Sequence, residues 1–214
     1  MTLLPTTRMR LQRTAIAALL IFVGGCSAFR QANDPPPAIF SLASPASATA
    51  SIATRAHVVG ATLIVTPPEA VAGFDSQRII YVRQAHELEY FAHNQWIDTP
   101  ARMLSPLIVA AIERGGAFRA VVHAPSTATG DLRLDTEIIR LQHEFLQHPS
   151  RVHFTLRATL LDSASRRVLA THEFDAFVTA ATEDPYGGVL AADQAVANVL
   201  EELATFCANV KLAR

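Results

Sequence analysis

The chain has 214 residues, of which 50% are hydrophobic and only 17% charged, and its formal net charge is −1. That is enough apolar material for one domain with a sizeable core. The lack of a basic excess argues against nucleic acid as a partner.

The first element is a leader. Arg8, Arg10 and Arg13 precede the apolar run Ala15 to Val23, and no acidic residue occurs before Asp34. The run is far shorter than the roughly 20 residues that a membrane-spanning helix needs. A basic start, a short apolar middle and a small-residue exit describe a secretory signal peptide over residues 1–25. Its end, Val23-Gly24-Gly25-Cys26, resembles a bacterial lipobox. In that motif the cysteine thiol takes a diacylglycerol, the peptide is cut just before it, and the new amine is acylated. Cys26 is therefore the expected lipidation site, and two or three acyl chains suffice for stable membrane attachment. If Cys26 carries lipid, Cys207 has no partner in its own chain. Its place on an apolar helical stripe points to burial as a small hydrophobe.

Residues 26–37 are polar and then proline-rich ("FRQANDPPP"), which suits a tether. The domain is expected over 38–214. "AIFSLAS", Ala38 to Ser44, reads as a short strand, and the Ala/Ser-rich "PASATASIATRA" as a loop. "ATLIVTPP", Ala61 to Pro68, reads as a strand stopped by two prolines, followed by a loop through "EAVAGFDS". "RIIYVR" (Arg78 to Arg83) and "ELEYFAH" (Glu87 to His93) read as a hairpin pair.

In "DTPARMLSPLIVAAIERGG", Asp98 or Thr99 can cap a helix and Pro100 fits its first turn. Met103, Leu104, Leu107, Ile108, Ala111 and Ile112 recur at helical spacing, and Gly115-Gly116 supplies the stop. Pro106 lies inside this helix, where it should kink the chain or leave one carbonyl unpaired. A strand over Ala117 to His123 follows.

Three long alternating runs come next, an antiparallel meander with turns at "HPS" and "DSASRR". In the first, Leu132, Leu134, Thr136 and Ile138 share one parity, while Ile139, Leu141 and Phe145 take the other. That switch predicts a β-bulge near Ile138. Finally Val189, Ala192, Val196, Val199, Leu203, Phe206 and Val210 repeat at alternating spacings of three and four, one face of a long helix. The fold class is therefore α+β: a mostly antiparallel sheet with a mid-chain helix and a long C-terminal helix packed on it.

Motifs for chemistry are scarce. The serines lie outside any GxSxG setting, and neither a Walker loop nor HExxH is present, so no cofactor is expected. His143, His153 and His172, one on each meander run, could hold a metal only if the bulge turned all three to one face. Surface and core-edge histidines are the simpler reading, and no metal site is expected. Trp96, in the aromatic-rich Tyr90 to Leu104 segment, is read as closing the strand-to-helix corner.

Several stretches carry a resemblance: the lipobox at Cys26, "IFSLAS", "LIVTPPEAVAGFDSQRIIYVR" and, most specifically, "LEYFAHNQWIDTPARML". With the late meander and long last helix, they make the chain similar to the ABC-type transport auxiliary lipoproteins that accompany MCE-type lipid transport systems in Gram-negative bacteria. The insertion Pro45 to Ala56 is the main departure. The resemblance implies no catalysis. It implies an accessory subunit tethered to a membrane, with an MCE-domain protein and the ABC permease and ATPase of the same system as partners. Ser27 after the cysteine, rather than Asp, resembles lipoproteins sent to the periplasmic side of the outer membrane. The alternative is an envelope lipoprotein with a structural or assembly role. The expected docking surface joins the Pro67 to Ser76 loop to the edge of the "RIIYVR" strand, with Phe74, Arg78 and Tyr81 as its residues; Phe74 tucked into its own domain is the equal alternative.

Overall fold

The computed structural model describes residues 36–42 and 60–210. The leader, Cys26 and most of the tether lie outside the described residues. In chain order the strands and helices are β1 (Ala38–Phe40), β2 (Thr62–Val65), β3 (Glu69–Ala70), β4 (Arg78–Val82), β5 (Glu89–Trp96), α1 (Pro100–Gly115), β6 (Ala120–His123), β7 (Leu132–Glu144), β8 (Arg151–Asp162), β9 (Val168–Thr179) and α2 (Pro185–Asn209).

Everything is organised around β7. On one side it forms a long antiparallel ladder with β8, which pairs in turn with β9. On its other side three short strands follow one another along it, all parallel: β2 opposite Leu132 to Leu134, β3 opposite Glu137 and Ile138, and β4 opposite Gln142 to Glu144. β6 extends the sheet beside β2, and β5 then β1 extend it beside β4. The longest ladders are thus antiparallel, while the shorter additions are mostly parallel. Pro67 and Pro68 explain why the track beside β7 is broken. Neither has an N–H to donate, so pairing stops after Val65 and resumes at Glu69. The pairing of "EA" as β3, within a stretch read as loop, is a correction to the sequence reading.

The parity switch in β7 is where the sequence places it: the register with β8 shifts between Ile138 and Arg140. The extra residue keeps the core side supplied by Leu132, Leu134 and Ile138 before it and by Leu141 after it, all buried.

Both helices cover one face of the sheet and touch each other; α2 lies across β8 and β9, and α1 reaches β6, β3 and β7. Helix α1 has the bounds its sequence suggests: Pro100 is the first helical residue, and Gly116 closes it in the left-handed region at φ 67°. The expected side-chain cap is not made: Thr99 is the N-cap residue without a side-chain cap hydrogen bond, and Asp98 Oδ1 accepts instead from the Thr99 N–H at 2.8 Å, ahead of the helix. The apolar stripe of α2 is buried from Val189 through Leu203, whereas Phe206 and Val210 are only partly covered. Ala191, Ala195, Leu200 and Cys207 widen that buried face, because α2 packs on α1 as well as on the sheet. Cys207 is a free, buried cysteine, and desolvation pushes its thiol pKa up to about 12. Trp96 is buried in the core.

The first turn of α2 is built around a tight contact. Asp184 Oδ1 accepts the Gly187 N–H at 2.7 Å, capping the helix. A Cβ on Gly188 would stand 2.5 Å from Nδ1 of His143. The imidazole occupies the space a side chain would need, so only glycine fits here.

Candidate functional site

The sequence-nominated docking residues do not form one patch. Strand β4 is not an edge. It pairs with β5 on one side and β7 on the other, so it offers no free backbone row to a partner along its length. The reason is the non-local pairing with β7, invisible in local sequence. Side chains alternate across the sheet, which separates the three residues further. Tyr81 lies on the helix side: its ring is 4.4 Å from Phe91 and 6.0 Å from Phe145, which neighbours His143 and hence α2. Its hydroxyl donates to Glu89 Oε2 at 2.9 Å, and that bond raises its pKa. Arg78 spreads over the Tyr90 ring at 4.0 Å. Phe74 is 8% exposed and lies on the side away from the helices.

There Phe74 helps to line a groove of about 500 Å³ on the helix-free face. Its rim is apolar and open: Leu88, Leu146 and Phe177 are each about half exposed (49%, 51% and 50%). Its floor is a polar network contributed by β7, β8 and β9. The cross-strand register makes it, setting Gln142 opposite His153, Glu144 opposite Arg151, and Thr155 opposite Asp175.

His153 is the centre. Its Nδ1 is 3.1 Å from Glu144 Oε1, its Nε2 2.8 Å from Asp175 Oδ1, and its ring lies 3.9 Å from that of Phe177. Gln142 Nε2 donates to Glu144 Oε1 at 2.8 Å, and Arg151 Nε donates to Glu144 Oε2 at 3.0 Å. Arg151 also covers the outer Phe177 ring at 4.3 Å. Burial pushes the Glu144 carboxyl up, but hydrogen bonds from Gln142, Arg151 and His153 outweigh it and hold the group below the usual carboxylate range. The Thr155 hydroxyl, 2.6 Å from Asp175, and then His153 do the same for Asp175.

Chemically this floor is saturated. Both imidazole nitrogens face carboxylate oxygens, so His153 is engaged as a structural clamp rather than held ready as a base. Half-exposed Leu88, Leu146 and Phe177 form an apolar cluster, a candidate contact surface, around this hydrogen-bonded polar floor. Sequence reasoning missed it because Gln142, Glu144, Arg151, His153 and Asp175 look like an ordinary solvated face; the hairpin register was the signal that could have assembled them.

The other meander histidines lie elsewhere. His143 is buried on the helix side, its Nε2 2.8 Å from Ser150 Oγ, and burial lowers its pKa. His172 pairs with Ala158, well along β8 from Val152 opposite His143, and stacks on Phe206 at 5.8 Å. Among the described residues no group of three or more His, Cys, Asp or Glu is placed to hold a metal ion.

Comparison with protein-family models matches residues 40–204 to the ABC-type transport auxiliary lipoprotein component. The chain belongs to this family. The match takes in β2 to β9, the last residue of β1 and most of α2, so the groove lies within the family domain. Among solved structures, the auxiliary lipoprotein is similar to protein XCC0632 from Xanthomonas campestris, at 25% identity and a TM-score of 0.65 over 80% of this chain and 92% of that one. It also shares its fold with an uncharacterized protein at 11% identity, with a TM-score of 0.62 over 81% of this chain and 99% of the other. A search of curated proteins found no match. Among the described residues of this auxiliary lipoprotein, no helix is long and apolar enough to cross a membrane.

Proposed function

We propose that the protein is a membrane-tethered periplasmic accessory subunit of an MCE-type system that moves lipids or other apolar solutes between membranes. Cys26 carries the lipid anchor, residues 26–37 form the tether, and the domain of 38–214 docks onto the MCE-domain protein that works with the ABC permease and ATPase. Ser27 directs the anchor to the periplasmic side of the outer membrane. The carrying observation is the family match over residues 40–204; the lipobox sequence supports the anchor.

The docking surface we assign is the groove on the helix-free face. Phe74 supports it from below, and Leu88, Leu146 and Phe177 make the contact. Buried Phe74, exposed Arg78 and the hydrogen-bonded Tyr81 serve mainly to shape the surrounding strands. The test is affinity purification of the full chain from its own cells. Recovery of MCE and ABC components with wild type, and their loss with Leu146→Asp or Phe177→Asp in folded protein, is the expected result. Wild-type protein that recovers none of these components under cross-linking overturns the transport reading and favours a structural envelope role. For the anchor, Cys26→Ser should abolish labelling by a palmitate analogue and leave uncleaved precursor.

A further inference from the structure

A second hollow lies on another side of the domain, between α1 and the segment joining β2 to β3. It holds about 550 Å³, within the usual size of small-molecule clefts. Its walls are Ala101, Pro106, Val109 and Ala110 of α1, facing Pro67 and Pro68. Three of these six residues are prolines, so the walls are poor in N–H donors. Pro106, which the helical pattern left without a role, projects into this space. Its polar floor is internally satisfied: Ser105 Oγ and His123 Nε2 share a hydrogen bond of 2.7 Å, and Ser105 is only 8% exposed.

This chemistry selects among occupants. A peptide laid in the hollow would bring backbone N–H and C=O groups needing partners, and walls of proline and alkyl groups supply few. A hydrocarbon chain needs none and gains from leaving water. The ends of the hollow differ in charge. Arg102, whose side chain is 77% exposed, lines the end at the first turn of α1. That turn contains no acidic residue, so the helix dipole adds to the guanidinium charge. Glu113 lines the opposite end. An amphiphile with an anionic head fits one way round, its head at Arg102 and its tail running toward Val109. Asp98, 3.2 Å from Arg102, is the carboxylate such a head would displace.

We propose that this hollow binds the acyl chain of an anionic lipid, with the carboxylate or phosphate of the head held by Arg102. The inference deepens the transport reading, on which its biological meaning rests, by making the accessory subunit itself a lipid-binding component. Binding does not depend on the transporter, so the two ideas fail separately.

The test uses membranes from cells that express the full chain. They are irradiated after loading with either a diazirine-bearing palmitate or a diazirine-bearing lysophosphatidylglycerol, and the adducts are mapped by mass spectrometry. Adducts on residues 101–113 and on the Pro67–Pro68 segment are expected. The two probes separate a free fatty acid from a phospholipid as the source of the chain. Ala110→Trp, which fills the hollow, should cut the adduct yield at least fivefold. Arg102→Ala, a surface change that leaves the fold intact, should lower capture of both anionic probes but not of an uncharged monoacylglycerol probe. Adducts that are absent from this region in wild type overturn the proposal whatever the variants do. So does a yield that neither variant changes, or a partner peptide cross-linked in the hollow in place of lipid. Wild-type protein that gives these adducts but recovers no MCE or ABC component would overturn the transport reading and leave the lipid site standing.

Discussion

Gly188→Ala reverses the usual sign of a glycine-to-alanine change. In an exposed helix interior the substitution stabilises by about 1 kcal/mol. Here the new methyl would lie 2.5 Å from Nδ1 of His143 and 3.1 Å from its Cγ and Cε1. The imidazole cannot easily yield. It is buried, joined to Ser150 Oγ at 2.8 Å on its far side, and packed against the Phe145 ring, tilted at 38° with centroids 4.1 Å apart. Overpacking of this kind costs about 1–3 kcal/mol. Displacing the ring also breaks a buried hydrogen bond, about 1 kcal/mol more. Set against the helical gain, the net is a destabilisation of about 2 kcal/mol. For a chain of this size that lowers Tm by roughly 4–8 °C. The assay is thermal unfolding of wild type, Gly188→Ala, His143→Ala and the double variant. His143→Ala should relieve the clash, so the double variant should be less destabilised than the two single effects added together. A Gly188→Ala variant that melts at or above wild type would refute the reasoning.

Leu203→Ala, at a fully buried position, should cost about 2–5 kcal/mol, whereas Phe206→Ala at a half-covered position should cost clearly less; equal losses in thermal unfolding would contradict the packing described. Stability should fall on acidification through His143. Burial depresses its folded pKa, so the unfolded chain binds the extra proton first, and stability present above about pH 6.5 is lost downward toward the folded value. The slope of Tm between pH 7 and 5 should be shallower in His143→Phe. Cys207 should resist a thiol reagent in the folded protein and react fully after denaturation; rapid labelling at neutral pH of the native chain would contradict its burial.

Much of the fold was legible because its signals are local. The stripe of α2, the start and stop of α1 and the parity switch at Ile138 are all written within a few turns or one strand. What escaped was pairing. Nothing near "RIIYVR" says that it lies beside the far end of β7, so β4 looked like an edge and its neighbours like a docking strip. Nothing near "EAVAG" announces a two-residue strand, since its partner is Glu137 and Ile138. The groove floor escaped for the same reason. Glu144, His153 and Asp175 each alternate outward as solvated residues do, and only the register of three strands joins them into one hydrogen-bonded network, with Glu144 and His153 buried and Asp175 exposed at its edge. Phe74 drew attention as a large apolar residue in a loop; its burial beside that network explains why it is there.

The central claim is that the helix-free groove docks the subunit onto its transport partner. In-cell photocross-linking tests it most directly, with a photoreactive amino acid placed in the full chain at Leu146, at Phe177 and, as control, at Gln194 on the exposed side of α2. The expected result is a cross-link to the MCE-domain protein from Leu146 and Phe177 and none from Gln194. Cross-links from Gln194 alone, or the same partners from all three positions, would contradict it.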